Sequence, residues 1–179
     1  MTERRRKLKR YEGLGDIRYI TCSCYQQLPL FQNDKIKDAF VAYLGKSRDR
    51  LAFKLYAWVV MPEHFHILLK PASGQNMPQV LRGIKAGFAK MTIERWRELD
   101  APILRRITDS SGRLRFWQTG GGYDRNLYSE HKLIEKITYI HQNPVRRGLV
   151  ERSSDWRWSS VWYYEKVGSY VGPAIDRLA

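Results

Sequence analysis

Cysteine is nearly absent from this chain. Its 179 residues include two, Cys22 and Cys24, too few for a disulfide framework or a four-ligand structural zinc site. Spaced two apart in a β-branched and aromatic stretch, they share one face of a strand and read as small buried residues. Long apolar runs are missing as well. The longest covers residues 55–61, far short of the roughly 18 residues a membrane span needs. No apolar segment follows the basic N-terminal residues, so no secretory signal is expected and the expected location is cytoplasmic. Acidic side chains are scarce: 18 Asp and Glu stand against 32 Lys and Arg, a formal charge of +14. That imbalance disfavours an enzyme of small metabolites and points to a polyanionic partner, nucleic acid above all. The same chain is 43% hydrophobic and 13% aromatic, which excludes wholesale disorder and suits one folded domain.

The apolar pattern predicts the elements. Residues 17–25 read as a first strand. Asn33 or Asp34 caps a helix through Ile36, Ala39, Phe40, Tyr43 and Leu44, with Gly45 as its stop. Residues 51–61 and 64–70 read as two strands of an antiparallel hairpin around Pro62. Asn76, Pro78 and Gln79 form a helix-start signature, and a helix runs from there to about Glu98 on a core stripe of Val80, Ile84, Phe88, Met91 and Trp96. Residues 113–118 read as a fourth strand ended by Gly120, Gly121 and Gly122. A last helix starts at Ser129 and stops at Gln142, because the residue before Pro144 avoids helical dihedrals. The order predicts an α+β domain with a ferredoxin-like, RRM-like βαββαβ core, an antiparallel sheet, an added helix and a C-terminal extension. The expected organisation is a basic arm at 1–16, a catalytic domain at 17–145 and an extension at 146–179. At least two of Trp156, Trp158 and Trp162 are expected to pack against the body.

Such a fold hosts many functions, so function has to come from particular residues. Two of the four histidines stand in His64-Phe65-His66. A strand's period of two puts both imidazoles on one face and Phe65 on the other, an arrangement that suits a divalent metal. On the last helix, Tyr139 and Asn143 share a face at i, i+4. The Asn143 carboxamide oxygen can join two histidines around a cation, and a phenol beside a bound phosphate is a candidate nucleophile. Attack by a phenol forms a phosphotyrosine and keeps the bond energy, so a second strand's hydroxyl can reverse it; that is strand transfer. Cations suited to phosphate stand in the arm (Arg4, Arg5, Arg6, Lys7, Lys9 and Arg10), on the second helix (Lys85) and past Asn143 (Arg146 and Arg147). Glu63 reads as a solvated turn residue. His141, about 200° around the helix from Tyr139, faces away from the nucleophile. Lys132 and Lys136 either help hold a phosphate or decorate the helix.

Three segments together carry a family resemblance: YAWVVMPEHFHILLK at 56–70, FWQ at 116–118 with YD at 123–124, and YIHQNPVRRGLV at 139–150. They resemble the REP-associated tyrosine transposases, relatives of the single-strand insertion-sequence transposases within the HUH endonucleases. The resemblance implies that His64 and His66 are metal ligands, Tyr139 forms a 5′-phosphotyrosine link, and Asn143 supplies a further ligand. It also implies Mg²⁺ or Mn²⁺ as cofactor and single-stranded hairpin DNA of bacterial repetitive palindromes as substrate. The expected setting is then a nucleoid-associated bacterial protein, monomer or homodimer. The insertion-sequence enzymes usually carry Gln where this chain has Asn143, which favours the REP-associated branch. Competing readings are a transposase-derived protein that binds hairpins without cutting, and a replication initiator or relaxase of another HUH lineage.

Overall fold

The computed structural model describes residues 17–120, 122–166 and 168–178; the arm and its six basic residues lie outside them. Four strands, β1 (Ile17–Ser23), β2 (Lys54–Val60), β3 (His64–Lys70) and β4 (Tyr123–Leu127), form one sheet in the order β2-β3-β1-β4. Every neighbouring pair is antiparallel. With helices α1 (Asp34–Leu51) and α2 (Met77–Glu98) between the strands, this is the expected βαββαβ core. A four-residue helix α3 (Ile103–Arg106), the added helix α4 (Glu130–Arg146) and a short α5 (Val161–Glu165) complete it.

The sheet separates two cores. On one face Ile20, Cys22, Leu55, Phe65, Ile67 and Leu69 pack with Phe31, Phe40, Phe88, Phe116 and Trp117 and the apolar sides of α1 and α2. On the other, Tyr19, Ala57, Val59 and Leu68 pack with Leu133, Ile137 and Ile140 of α4. Both cysteines are free and buried in the first core. The extension lies along β2: Val60 N donates to Trp158 O at 2.9 Å, and Trp156 Nε1 donates to Val60 O at 2.9 Å. Trp158 lies under the buried Lys37 ammonium, 4.0 Å from its ring centre.

Four features differ from the sequence reading. Gly45 does not stop α1. One glycine costs a helix only about 1 kcal/mol against alanine, so the helix continues to Leu51, and Ala52 in the left-handed region (φ 52°) ends it. Residues 113–118 make only isolated bridges, Thr108 to Leu114 and Cys24 to Trp117. Phe116 and Trp117 are consecutive and both buried, which a half-exposed strand cannot provide. The fourth strand is instead Tyr123–Leu127, a polar stretch because it is an edge with one side open to water. Met91 is 43% exposed and leaves the core stripe of α2. Finally, α4 runs through Pro144 to Arg146. Arg147 N donates to Asn143 O at 3.1 Å, and Gly148 at φ 65° turns the chain away.

His141 faces away from Tyr139 as expected, with Nε2 2.8 Å from Ser160 Oγ. Burial pushes its pKa down to about 4, whereas the unfolded imidazole titrates near 6.5. The unfolded chain therefore takes up the proton first as pH falls, and stability present above about 6.5 is lost toward 4. Between pH 7 and 5 the loss from this one group is about 2 kcal/mol. The His141→Gln protein should show a correspondingly smaller fall in denaturant-unfolding free energy over that interval; equal falls would contradict the burial argument.

Candidate active site

The pleat of β3 sends Phe65 into the first core and turns His64 and His66 to the opposite face. The two Nε2 atoms point at each other, 3.0 Å apart. Each ring is held from behind by its Nδ1. His66 Nδ1 lies 2.8 Å from the Tyr19 hydroxyl and 2.7 Å from Thr21 Oγ1, both on β1, where Thr21 is the register partner of His66. His64 Nδ1 lies 3.0 Å from Glu63 Oε1, and Arg147 donates to the same oxygen at 2.9 Å. Carboxylate and hydroxyl partners on Nδ1 fix ring orientation and leave Nε2 for a ligand.

Burial keeps the pair uncharged. His66 is 5% exposed; burial first, then the neighbouring His64, lower its pKa to about 3, with the Asn143 side chain pulling the other way. His64 is lowered too, again chiefly by burial, against the attraction of Glu63.

Helix α4 supplies the rest. Ser129 caps it by accepting from Lys132 N at 3.4 Å. Leu133, Ile137 and Ile140 bury its apolar side, and Tyr139 is left half-buried on the flank beside the histidines. The Tyr139 ring centre is 6.0 Å from that of His66 and 6.1 Å from that of Tyr19. Asn143, one turn on, is buried; its Nδ2 donates to Tyr139 O at 2.8 Å. Lys136 Nζ stands 4.6 Å and Arg146 Cζ 5.1 Å from the Tyr139 ring centre.

The structure thus brings together His64, His66, Tyr139, Asn143, Arg146 and Arg147. It does not bring Lys85 there. Lys85 lies on α2, across the sheet, with Nζ 5.8 Å from the Trp117 ring centre. Glu63 is no solvated turn residue: its side chain is 15% exposed and bonded to both His64 and Arg147. Tyr19 and Thr21 escaped the sequence reading. Their alternation with Ile20 was visible, but only the register of β1 on β3 places them behind His66.

The donors fit a small divalent cation. Two nitrogens in neighbouring positions of an octahedral ion at about 2.1 Å are about 3 Å apart, the separation found between the Nε2 atoms. Among the described residues no cluster of three or more His, Cys, Asp and Glu side chains could hold an ion. A cation at the pair would be held by the two imidazoles with the Asn143 carboxamide, which would leave positions for phosphate and water oxygens.

Comparison with known proteins gives the family. Residues 15–143 match the family described as "Transposase IS200 like". The REP-associated tyrosine transposase of Escherichia coli (strain K12) is 29% identical over 119 residues, 66% of this chain. The match spans 60% of that relative's length. A solved structure of a REP-associated tyrosine transposase bound to a REP hairpin superposes with a TM-score of 0.68 at 20% identity, covering 97% of this chain and 98% of that one. That likeness supports the fold.

Removing the carboxylate behind His64 should loosen the ring without emptying the core. Glu63→Ala is expected to weaken Mn²⁺ binding by about 10- to 100-fold in calorimetric titration. Glu63→Gln, which still accepts from Nδ1, should recover most of it. An unaltered affinity in Glu63→Ala would rule out this orienting role.

Proposed function

The chain belongs to the family of IS200-like transposases, and from that premise we propose that it is a REP-associated transposase acting on hairpin DNA. On this reading it is a metal-dependent single-strand endonuclease and strand-transferase. The observation that carries it is the Tyr139 ring 6.0 Å from a histidine pair whose Nε2 atoms converge, with Asn143 one turn away. A protein that only bound hairpins would need neither the convergence nor the phenol beside it. The hairpin as partner is supported by the similar solved structure, whose protein is bound to a REP hairpin.

His64, His66 and the Asn143 carboxamide oxygen would hold Mg²⁺ or Mn²⁺. A divalent cation bound there would polarise the scissile phosphate and offset the charge that builds on it during displacement. Tyr139 Oη attacks phosphorus; the P–O3′ bond breaks, and the proton lost by the phenol is balanced by the one gained at the departing 3′-oxygen. The downstream strand is left on the protein as a 5′-phosphotyrosine, and the upstream strand ends in a free hydroxyl. No water enters, so a 3′-hydroxyl can reverse the step and rejoin strands. Lys136 and Arg146, flanking the Tyr139 ring, are placed to neutralise phosphate oxygens at the moment of attack. Arg147 divides its charge between Glu63 and the approaching backbone. Lys85, across the sheet, would add affinity away from the scissile phosphate, and the arm's Arg4, Arg5, Arg6, Lys7, Lys9 and Arg10 would add further phosphate contacts.

The test uses a hairpin oligonucleotide with single-stranded flanks from the source genome, labelled at either end and incubated with Mn²⁺ or EDTA. The wild-type protein should give a metal-dependent, protease-sensitive shift of the 3′-labelled strand on a denaturing gel, and a shortened 5′-labelled fragment. Tyr139→Phe should abolish the adduct and leave hairpin affinity within about twofold, since one hydroxyl contributes little to a phosphate-dominated interface. An adduct that survives in Tyr139→Phe would remove Tyr139 from the mechanism. Tight binding with no adduct from the wild type under any metal would favour the hairpin-binding protein that does not cut.

A further inference from the structure

Helix α4 packs on β2 and β3, roofing one half of the sheet face that carries the histidines. The half over β1 and β4 is differently built. Asp124 turns to the far face to pair with the buried Arg18, so its neighbours Tyr123 and Arg125 turn toward the histidine face. The Tyr123 ring meets that of Tyr19 edge-on, with centres 5.8 Å apart, yet it remains 40% exposed. Arg125 lies opposite Tyr19 in the β1–β4 register and is exposed, and among the described residues it forms no ion pair.

Gly122 makes this placement possible. Its φ is +74°, and a Cβ there would meet Thr21 O at 2.0 Å. Only glycine lets the chain enter the edge strand so close to β1 and set Tyr123 against Tyr19.

On the opposite side, Lys136, Tyr139, Asn143 and Arg146 recur along one stripe of α4. Lys136 Nζ reaches to 5.2 Å from the Tyr19 ring centre. Edge strand and helix therefore face each other across Tyr19, forming a trough that runs from the open edge of the sheet to Tyr139. One wall offers an aromatic ring and a free guanidinium; the other offers ammonium and guanidinium groups around the phenol.

We propose that this trough guides the single-stranded segment of the DNA to Tyr139, with an unpaired base stacked on Tyr123 and backbone phosphates held by Arg125 and Lys136. The inference rests on the reading of Tyr139 as a nucleophile toward single-stranded DNA. An aromatic ring beside cations recognises single strands because unpaired bases have free faces, and it does so with little sequence preference. A duplex keeps those faces stacked and gains nothing from Tyr123.

Binding of a fluorescein-labelled 12-nucleotide single strand, and of its blunt duplex, is measured by anisotropy in EDTA. Wild type is compared with the Tyr123→Leu, Tyr123→Ala, Tyr123→Trp and Arg125→Ala proteins. Tyr123→Leu keeps an apolar contact with Tyr19, so it reports on stacking even where Tyr123→Ala fails to fold. Tyr123→Leu should weaken single-strand binding by about 5- to 100-fold, Tyr123→Trp should restore it, and duplex binding should not change. Arg125→Ala should lower the slope of log affinity against log salt by about 0.7. Wild-type single-strand affinity in Tyr123→Leu overturns the proposal, and so does an equal loss for duplex. The adduct assay separates the two readings. An adduct from wild type with unchanged binding in Tyr123→Leu sinks the trough alone; Tyr123-dependent binding without any wild-type adduct sinks the nucleophile and leaves the trough standing.

Discussion

The antiparallel register of β1 on β3 governs the rest of the site. With Thr21 opposite His66, the Tyr19 and Thr21 hydroxyls reach Nδ1 from behind, and Nε2 is left facing His64. A slip of one residue would turn both hydroxyls away and offer Ile20 or Cys22 in their place. What forbids the slip lies on the other side of the sheet. Ile20 is fully buried there, and the slip would bring it to the face that carries polar groups. Burying a side chain of that size is worth about 1.5–3 kcal/mol. The apolar face thus enforces the geometry of the polar one.

Reading within one element needs only its period, and that is why so much of the site was legible in the sequence. His64 and His66 share a face by the strand's period of two, and Tyr139 and Asn143 by the helical one. The connection of those two pairs is tertiary; their chemistry suggested it and the family resemblance implied it. Tyr19 and Thr21 were invisible because no local pattern encodes register. Glu63 was misjudged because a turn carboxylate is usually hydrated; here Arg147, remote in sequence, folds over it. The fold shows the same division. The hairpin and the capped start of α2 are local signals and were found. The fourth strand was sought in residues 113–118, where the consecutive Phe116 and Trp117 are both buried in one core, whereas the true edge strand is polar because it borders water.

Pro144 lies inside α4 and does not end it. Proline in a helix removes a donor and crowds the carbonyl four residues back, so ending α4 at Gln142 is the reasonable expectation. The helix instead continues for one further turn. That turn holds Asn143 in helical geometry under Tyr139, buried beside His66. It also carries Arg147 to the point where its guanidinium meets Glu63. The end of the helix that carries Tyr139 is thereby tied to the hairpin that carries both histidines. The price of a proline near a helix end is small beside the cost of leaving Glu63 buried without a counter-charge.

Two phenols stand near the histidines, and their surroundings differ. Tyr19 is buried, and burial raises its pKa well above the ordinary phenol range; its hydroxyl is also engaged by His66 Nδ1 and Thr21. It is a fixture of the sheet. Tyr139 is half-buried, and two cations approach its ring centre at 4.6 and 5.1 Å. The distribution of charge is consistent with that division. The interior holds neutral imidazoles with lone pairs available at neutral pH. The positive charge of Lys136, Arg146 and Arg147 sits at the rim, where it can meet phosphate while still partly hydrated. Had those cations been placed among the histidines, they would have competed for the position of a divalent ion. Placed outside, they leave the histidine pair clear and Tyr139 the accessible phenol.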